Sequence, residues 1–156
     1  MSRKEGRRVP KVIDLPPLWL AVFIGLVWGI GEAVPLRMFG AIGDIVALAL
    51  AALGLFLFAT AIWEMARART TVIPHRQAST LVTSGIFRLS RNPIYLGDAA
   101  FLLAAILWLD VPLALPLLPA FMLVIRQRFI RDEEARLRAA FGSAFDDWAA
   151  RTRRWL

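Results

Sequence analysis

The side chains best able to do chemistry lie in three short stretches. The first is Arg91-Asn92-Pro93-Ile94-Tyr95-Leu96-Gly97. Pro93 suits the first turn of a helix and pushes Asn92 into an extended conformation. Arg91 and Asn92 then line the helix mouth, Tyr95 reaches its first turn, and the unsatisfied amides there suit an anionic group. A capped, Arg-anchored helix start with no ligand has the same pattern. The second is Asp98, three residues after Tyr95 and so on the same helical face. A carboxyl inside an apolar helix is costly, which makes it either a candidate base or a partner for a loop arginine. The third is Arg131-Asp132-Glu133-Glu134. Asp132 with Arg136 and Glu134 with Arg138 have the i, i+4 spacing of a salt-bridged, solvated face, whereas position i+4 from Glu133 is Leu137, which makes Glu133 a candidate ligand contact. Two further carboxylates have plainer readings. Glu32, within the first apolar run, suits an interhelical hydrogen bond or pairing with Arg37, and Glu64 reads as a solvated helix end beside Arg67.

Composition narrows the chemistry. The chain has no Cys and one His, His75. There is accordingly no disulfide, thiolate nucleophile or Cys-ligated zinc or iron-sulfur centre, and no multi-histidine metal site. The expected chemistry uses no metal. Of 156 residues 58% are hydrophobic and 20% charged, too apolar for a soluble domain. The net charge of +7 would suggest nucleic acid on a soluble chain, but on this one the cations act as topology signals, so a membrane and not a nucleic acid is the expected partner.

The elements that must position these groups follow from the apolar runs. A bilayer core of roughly 30 Å needs about 20 mostly apolar helical residues. Residues 16–36 and 42–63 supply two such runs, and 93–109 and 111–130, separated by Asp110 with Pro112 starting the second, read as a helical hairpin. Pro116 and Pro119 predict a kink in its last arm. Of the 19 Lys and Arg residues, 18 lie in the leader, the central loop and the tail from residue 126, and only Arg37 lies in an opposite-side connector. The positive-inside rule then places both termini and the central loop in the cytoplasm of an inner-membrane protein, with the first helix uncleaved. The expected architecture is an all-α integral membrane protein with four transmembrane helices, a cytosolic loop and a C-terminal helical cap. Residues 1–15 form a basic cytosolic leader and 16–66 the first two helices. Residues 67–156 form a catalytic region of loop (67–92), hairpin (93–130) and cap (131–156).

The loop and the tail are too long for plain connectors. Leu81, Val82, Ile86, Phe87 and Leu89 around the turn residues Ser84 and Gly85 give the loop something to pack. In the tail Gly142 predicts a helix stop, Ser143 an N-cap with Asp146 three residues on, and Leu137, Phe141, Phe145 and Trp148 a docking stripe.

Read in order, Thr70-Thr71-Val72-Ile73-Pro74-His75-Arg76, then Thr80-Leu81-Val82-Thr83-Ser84-Gly85-Ile86-Phe87-Arg88, the Arg91 to Gly97 stretch, Glu133-Glu134, Phe141-Gly142 and Arg153-Arg154-Trp155-Leu156 resemble the small bacterial members of the isoprenylcysteine carboxyl methyltransferase and phospholipid methyltransferase family. The resemblance runs from about residue 68 to the end, and the first two helices match only as hydrophobic segments. It implies a membrane methyltransferase that uses S-adenosylmethionine in a pocket unlike a Rossmann domain, in keeping with the missing G-x-G-x-x-G. By motif, it implies cofactor contacts at Thr80, Leu81, Val82, Phe87, Asn92, Pro93, Ile94, Tyr95 and Glu133, with Glu134 adjacent and His75 at the rim. The residues add Arg91 for the cofactor's carboxylate, and Asp98, His75 or Glu133 as candidates for a base, with Asp98 and His75 taken as the catalytic pair of candidates. The eukaryotic branch has His at the position of Asn92 and Tyr at that of Phe87, and its Pro-rich ending is missing here. The implied acceptor is a lipid or a lipophilic small molecule, methylated on a carboxyl or an amine and entering between the third and fourth helices beside the paired prolines. Two other readings fit parts of the pattern: a non-catalytic membrane subunit of the same fold, and a four-helix cation exporter using Glu32.

Overall fold

The computed structural model describes residues 15–70 and 79–156. The leader up to residue 14 and His75 lie outside the described residues. Among the described residues every regular element is helical. They are α1 (Pro16–Ala33), α2 (Gly40–Arg67), α3 (Pro93–Trp108), α4 (Leu117–Ile125), α5 (Arg131–Phe141) and α6 (Ser143–Arg151), with short 3₁₀ turns at Gly85–Arg88 and Pro112–Ala114. Three helical segments are long and apolar enough to cross a membrane: Pro16–Ala33, Gly40–Arg67 and Pro112–Phe141. Helix α3 is equally apolar but has 16 residues, about 24 Å at the α-helical rise.

α3 is nonetheless the centre of the bundle. Half of its residues are buried, and both α1 and α2 pack along it. α2 meets it through small residues, with Gly43, Ala47, Gly54 and Ala61 on its buried side. Where the two cross, a Cβ at Gly54 would stand 3.1 Å from the Gly97 carbonyl, and one at Gly97 would stand 3.1 Å from the Gly54 carbonyl. That approach is closed to larger residues, and it gives helices in lipid the packing that apolar transfer cannot. On the other side Phe23, Val27, Leu102, Ile106, Phe121 and Ile125 form a dry core. Phe23 meets Phe121 edge-on at 5.3 Å. The outward faces of α1 and α2 carry Trp28, Ile42, Ile45, Leu48 and Leu55, all more than half exposed, an apolar surface suited to lipid.

The prolines predict a kink in the last apolar helix, but the structure puts its irregularity elsewhere. Pro116 is the N-cap of α4 and Pro119 its third residue, inside the turn whose amides have no intrahelical partner in any case, so neither ring breaks a bond. The departure from α geometry comes at Arg126–Ile130, a π turn in which the Arg131 amide donates to the Arg126 carbonyl and which runs directly into α5. Gly142 (φ +54) then ends α5 and is itself the N-cap of α6, the position that Ser143 is expected to take. The docking stripe forms: Phe145 and Trp148 are buried, and Leu137 and Phe141 pack beside them against Ala61, Val82 and Phe87. The Trp148 indole donates to the Phe87 carbonyl at 3.1 Å and locks α6 onto the 3₁₀ turn.

At one end of the bundle, the turn end, Asp110 joins α3 to the last helix with φ +52. Its carboxylate accepts from the amides of Met38 and Phe39, both at 2.8 Å, and of Gly40 at 3.3 Å. Arg37 donates to the Leu109 carbonyl. At the other, the loop end, residues 79–92, α5, α6 and the chain's last residues gather over the start of α3.

Candidate functional site

A cavity of about 280 Å³ opens at the loop end, near the lower limit of the roughly 300–1,000 Å³ usual for small-molecule sites. One wall is the start of α1 (Leu15, Pro16, Pro17) and another the last turns of α2 (Phe58, Ile62, Met65). Phe87, Arg91, Asn92, Pro93, Ile94, Tyr95, Asp98 and Glu133 complete the lining. Of the eleven cofactor contacts expected from sequence, seven thus meet around one space, together with the candidate base Asp98. The lining is mostly apolar with a few convergent polar groups, as small-molecule sites are.

Each polar group is positioned by its own local structure. Pro93 opens α3, with Asn92 as N-cap, so Tyr95 and Asp98 fall on consecutive turns of one face. Tyr95 donates from its hydroxyl to Glu133 Oε2 at 3.2 Å and is 7% exposed. That bond joins the first turn of α3 to the first turn of α5 across the cavity. Asp98 is 2% exposed and takes no hydrogen bond from any described residue.

Residues 90–92 are strapped by the C-terminus. The Arg91 amide donates to the Arg153 carbonyl at 2.9 Å, and the Asn92 side-chain amide to the Arg154 carbonyl, also at 2.9 Å. Asn92 therefore spends one donor on the chain itself. Glu134 receives the Arg154 guanidinium in a fork, Nε to Oε1 at 2.9 Å and Nη2 to Oε2 at 2.6 Å, and Arg91 Nη1 stands 3.2 Å from Oε1. The bond to Glu134 holds Arg154 more firmly charged than usual. Burial pulls the Arg91 guanidinium the other way; Glu134 opposes this, while Arg154 and Arg138 add to it. Arg91 Nε is buried without a hydrogen-bond partner, a donor that awaits an acceptor.

Four expected contacts are not in the lining. Thr80 is exposed. Leu81 and Val82 pack with Phe87 in the cluster under α6, because the loop uses its apolar residues to seat the tail. Glu134 faces the two arginines instead of Arg138, which bonds Asp146 at 2.7 Å and covers the Phe145 ring. Glu64 departs furthest from its reading as a solvated helix end. It is 8% exposed and accepts from Ser84 Oγ at 2.6 Å. Gly85 (φ +55) presses so close that a Cβ there would collide with this carboxylate. Pro116 and Pro119, expected to flank an entrance, lie at the turn end, and the lipid-side walls of the cavity come from α1 and α2 instead. These walls are invisible to motif reasoning. Their only sequence signal is Pro16-Pro17, which fixes where α1 begins. Glu32 sits exposed in the last turn of α1, about 23 Å along that helix from Pro17.

The sequence model of the phospholipid methyltransferase family matches residues 42–144, which is 103 of the 156 residues. No curated protein and no solved structure matches the chain. The matched stretch carries every cavity-lining residue except Leu15, Pro16 and Pro17. Spanning α2 through α5, it covers two thirds of the sequence, and the chain belongs to the phospholipid methyltransferase family.

Proposed function

We propose that this chain is an S-adenosylmethionine-dependent methyltransferase of the inner membrane, acting on a lipophilic or small apolar acceptor. Family membership supports methyl transfer in general. The observation that carries the finer reading is the pair Tyr95–Glu133 closing one cavity with Arg91 and Asp98.

The residues present fit the cofactor. It needs a carboxylate acceptor for its amine or ribose hydroxyls, a cationic donor for its carboxylate, and an aromatic face. Glu133 meets the first need, Arg91 with its orphaned Nε the second, and Phe87 and Tyr95 the third. When bound, the cofactor supplies an electrophilic methyl on a sulfonium, chemistry that asks the protein mainly for alignment and dryness. Asn92, Pro93 and Ile94 form the wall at the helix mouth. Leu81 and Val82, next to Thr80, hold Phe87 in place from behind, and Glu134 acts through Arg91. Asp98 is the candidate base for an acceptor that must lose a proton, with His75 as the second candidate. A cavity this small holds a nucleoside-sized ligand but not a whole lipid, so an apolar acceptor tail stays outside it, against α1 and α2.

The distribution of arginines supports a cytoplasmic loop end. Among the described residues Arg37 alone lies at the turn end, and Arg67, Arg69, Arg88, Arg91 and the tail arginines lie at the other. α3 serves as a fourth span, its short length made up by protein packed around both of its ends.

Two measurements test the reading. Protein in detergent binds S-adenosylhomocysteine by calorimetry; Glu133→Ala and Tyr95→Ala each weaken that binding about tenfold or more, and Glu32→Ala leaves it unchanged. Incubation with methyl-labelled cofactor and a membrane lipid extract puts label in an apolar fraction. No binding by the unaltered protein would remove the cofactor reading.

A further inference from the structure

We infer that Arg154 is a positioning residue: by occupying Glu134 it keeps Arg91 directed at the carboxylate of the bound ligand. The inference rests on the cofactor reading above and concerns a residue beyond the stretch that the family model matches.

Glu134 is the only carboxylate bonded to these two guanidiniums among the described residues, so the three groups together carry one surplus positive charge. Arg154 holds both oxygens of Glu134 in the fork geometry that makes arginine–carboxylate pairs strong. Arg91 is left with one longer contact, from Nη1 to an oxygen that Arg154 already shares. Its Nε, buried and without a partner, belongs to a side chain that lines the cavity. An anion entering there gains a hydrogen bond that the protein does not supply and cancels the surplus charge. Without the Arg154 guanidinium, Glu134 is released to take Arg91 in the same fork. Arg91 would then be neutralised and drawn off the cavity. The carbonyl groups of Arg153 and Arg154 hold the Arg91 amide and the Asn92 side chain, so the main-chain strap survives a change of the Arg154 side chain, and the guanidinium can be tested alone.

The test compares two ligands in calorimetry on the full chain in detergent: S-adenosylhomocysteine, which carries an amino-acid carboxylate, and methylthioadenosine, which keeps the nucleoside and thioether without it. Arg154→Gln should weaken S-adenosylhomocysteine about tenfold or more while methylthioadenosine stays within about twofold. Adding Glu134→Gln should restore S-adenosylhomocysteine, because no carboxylate remains to capture Arg91. A purely structural strap would lose both ligands together and gain nothing from the second change, and that result, or no loss at all in Arg154→Gln, overturns the inference. If the unaltered protein binds neither ligand, the cofactor reading itself has failed. If it binds both and Arg154→Gln does not separate them, only the role of Arg154 has failed.

Discussion

The two ends of the helix bundle are built from the same kinds of side chain and use them differently. At the turn end, Asp110 accepts from three backbone amides and Arg37 donates to a carbonyl, so both of these charged groups are spent on capping the backbone of another segment. At the loop end, the buried side-chain atoms left without a partner among the described residues are Thr70 Oγ1 and Arg91 Nε, and Asp98 is buried and accepts from no described residue. Charged groups that cap backbone make a fold. Those held in place by the fold and left unsatisfied are where a ligand completes the structure. The contrast makes three predictions beyond those above, in falling order of effect.

The largest effect belongs to the leftover carboxylate. If Asp98 takes a proton from the acceptor, Asp98→Asn lowers the rate of methyl transfer by about 10²-fold or more, with S-adenosylhomocysteine affinity nearly unchanged. Initial rates at saturating cofactor set beside calorimetry decide it. An equal fall in both would make Asp98 part of the cofactor pocket instead. Replacing a buried, unpaired carboxyl by an amide also removes a desolvation cost, so thermal stability should hold or rise.

The next effect concerns a carboxylate at the loop end that behaves as those at the turn end do. Glu64 is spent on Ser84, with Gly85 pressed against it. Gly85→Ala must pay for φ +55 and also displace Glu64, whereas Gly142→Ala, at φ +54 with nothing near its Cβ, pays for the backbone alone. Unfolding in detergent should show a loss of about 2 kcal/mol for Gly142→Ala, whose φ +54 and ψ −128 favour glycine, and clearly more for Gly85→Ala. Equal losses would mean that the Glu64 clamp contributes nothing.

What the sequence made legible follows from the range over which its signals act. Pro93 after Arg91 and Asn92, the spacing from Tyr95 to Asp98, Gly142 as a helix stop, and the stripe from Leu137 to Trp148 are local periodicities, and each took its expected place or lay within one residue of it. Partnerships across the chain were not legible. The i, i+4 rule pairs Glu134 with Arg138, yet Arg154, 20 residues on, takes Glu134 in a better fork while Asp146 takes Arg138. Glu64 looked solvated because nothing nearby in sequence covers it; Ser84 and Gly85 do so only when the loop folds back. The buried row of small residues on α2 was visible in principle, but inside a long apolar run it does not separate the face that meets α3 from the face that meets lipid. The lining from Leu15 to Pro17 and from Phe58 to Met65 carries no motif at all, since its contribution is shape.

The smallest effect lies at the turn end. The amides of Met38 and Phe39 foremost, then that of Gly40 and the Arg37 charge, hold the Asp110 carboxyl below the usual carboxylate range. A carboxyl depressed on folding stabilises the folded state above its unfolded value, near 3.8, and that contribution disappears as pH falls through the lower folded value. Asp110→Asn keeps an oxygen for the amides but loses the charge, so it should unfold more readily than the unaltered protein at neutral pH. The gap should narrow as the pH is taken below 4, because the unaltered protein alone loses stability there. Binding of S-adenosylhomocysteine at neutral pH should not change, since the cap stands a full helix length from the cavity. A variant that loses ligand affinity as well would break the comparison, by making the turn end set the spacing of α2 and α3 at the site.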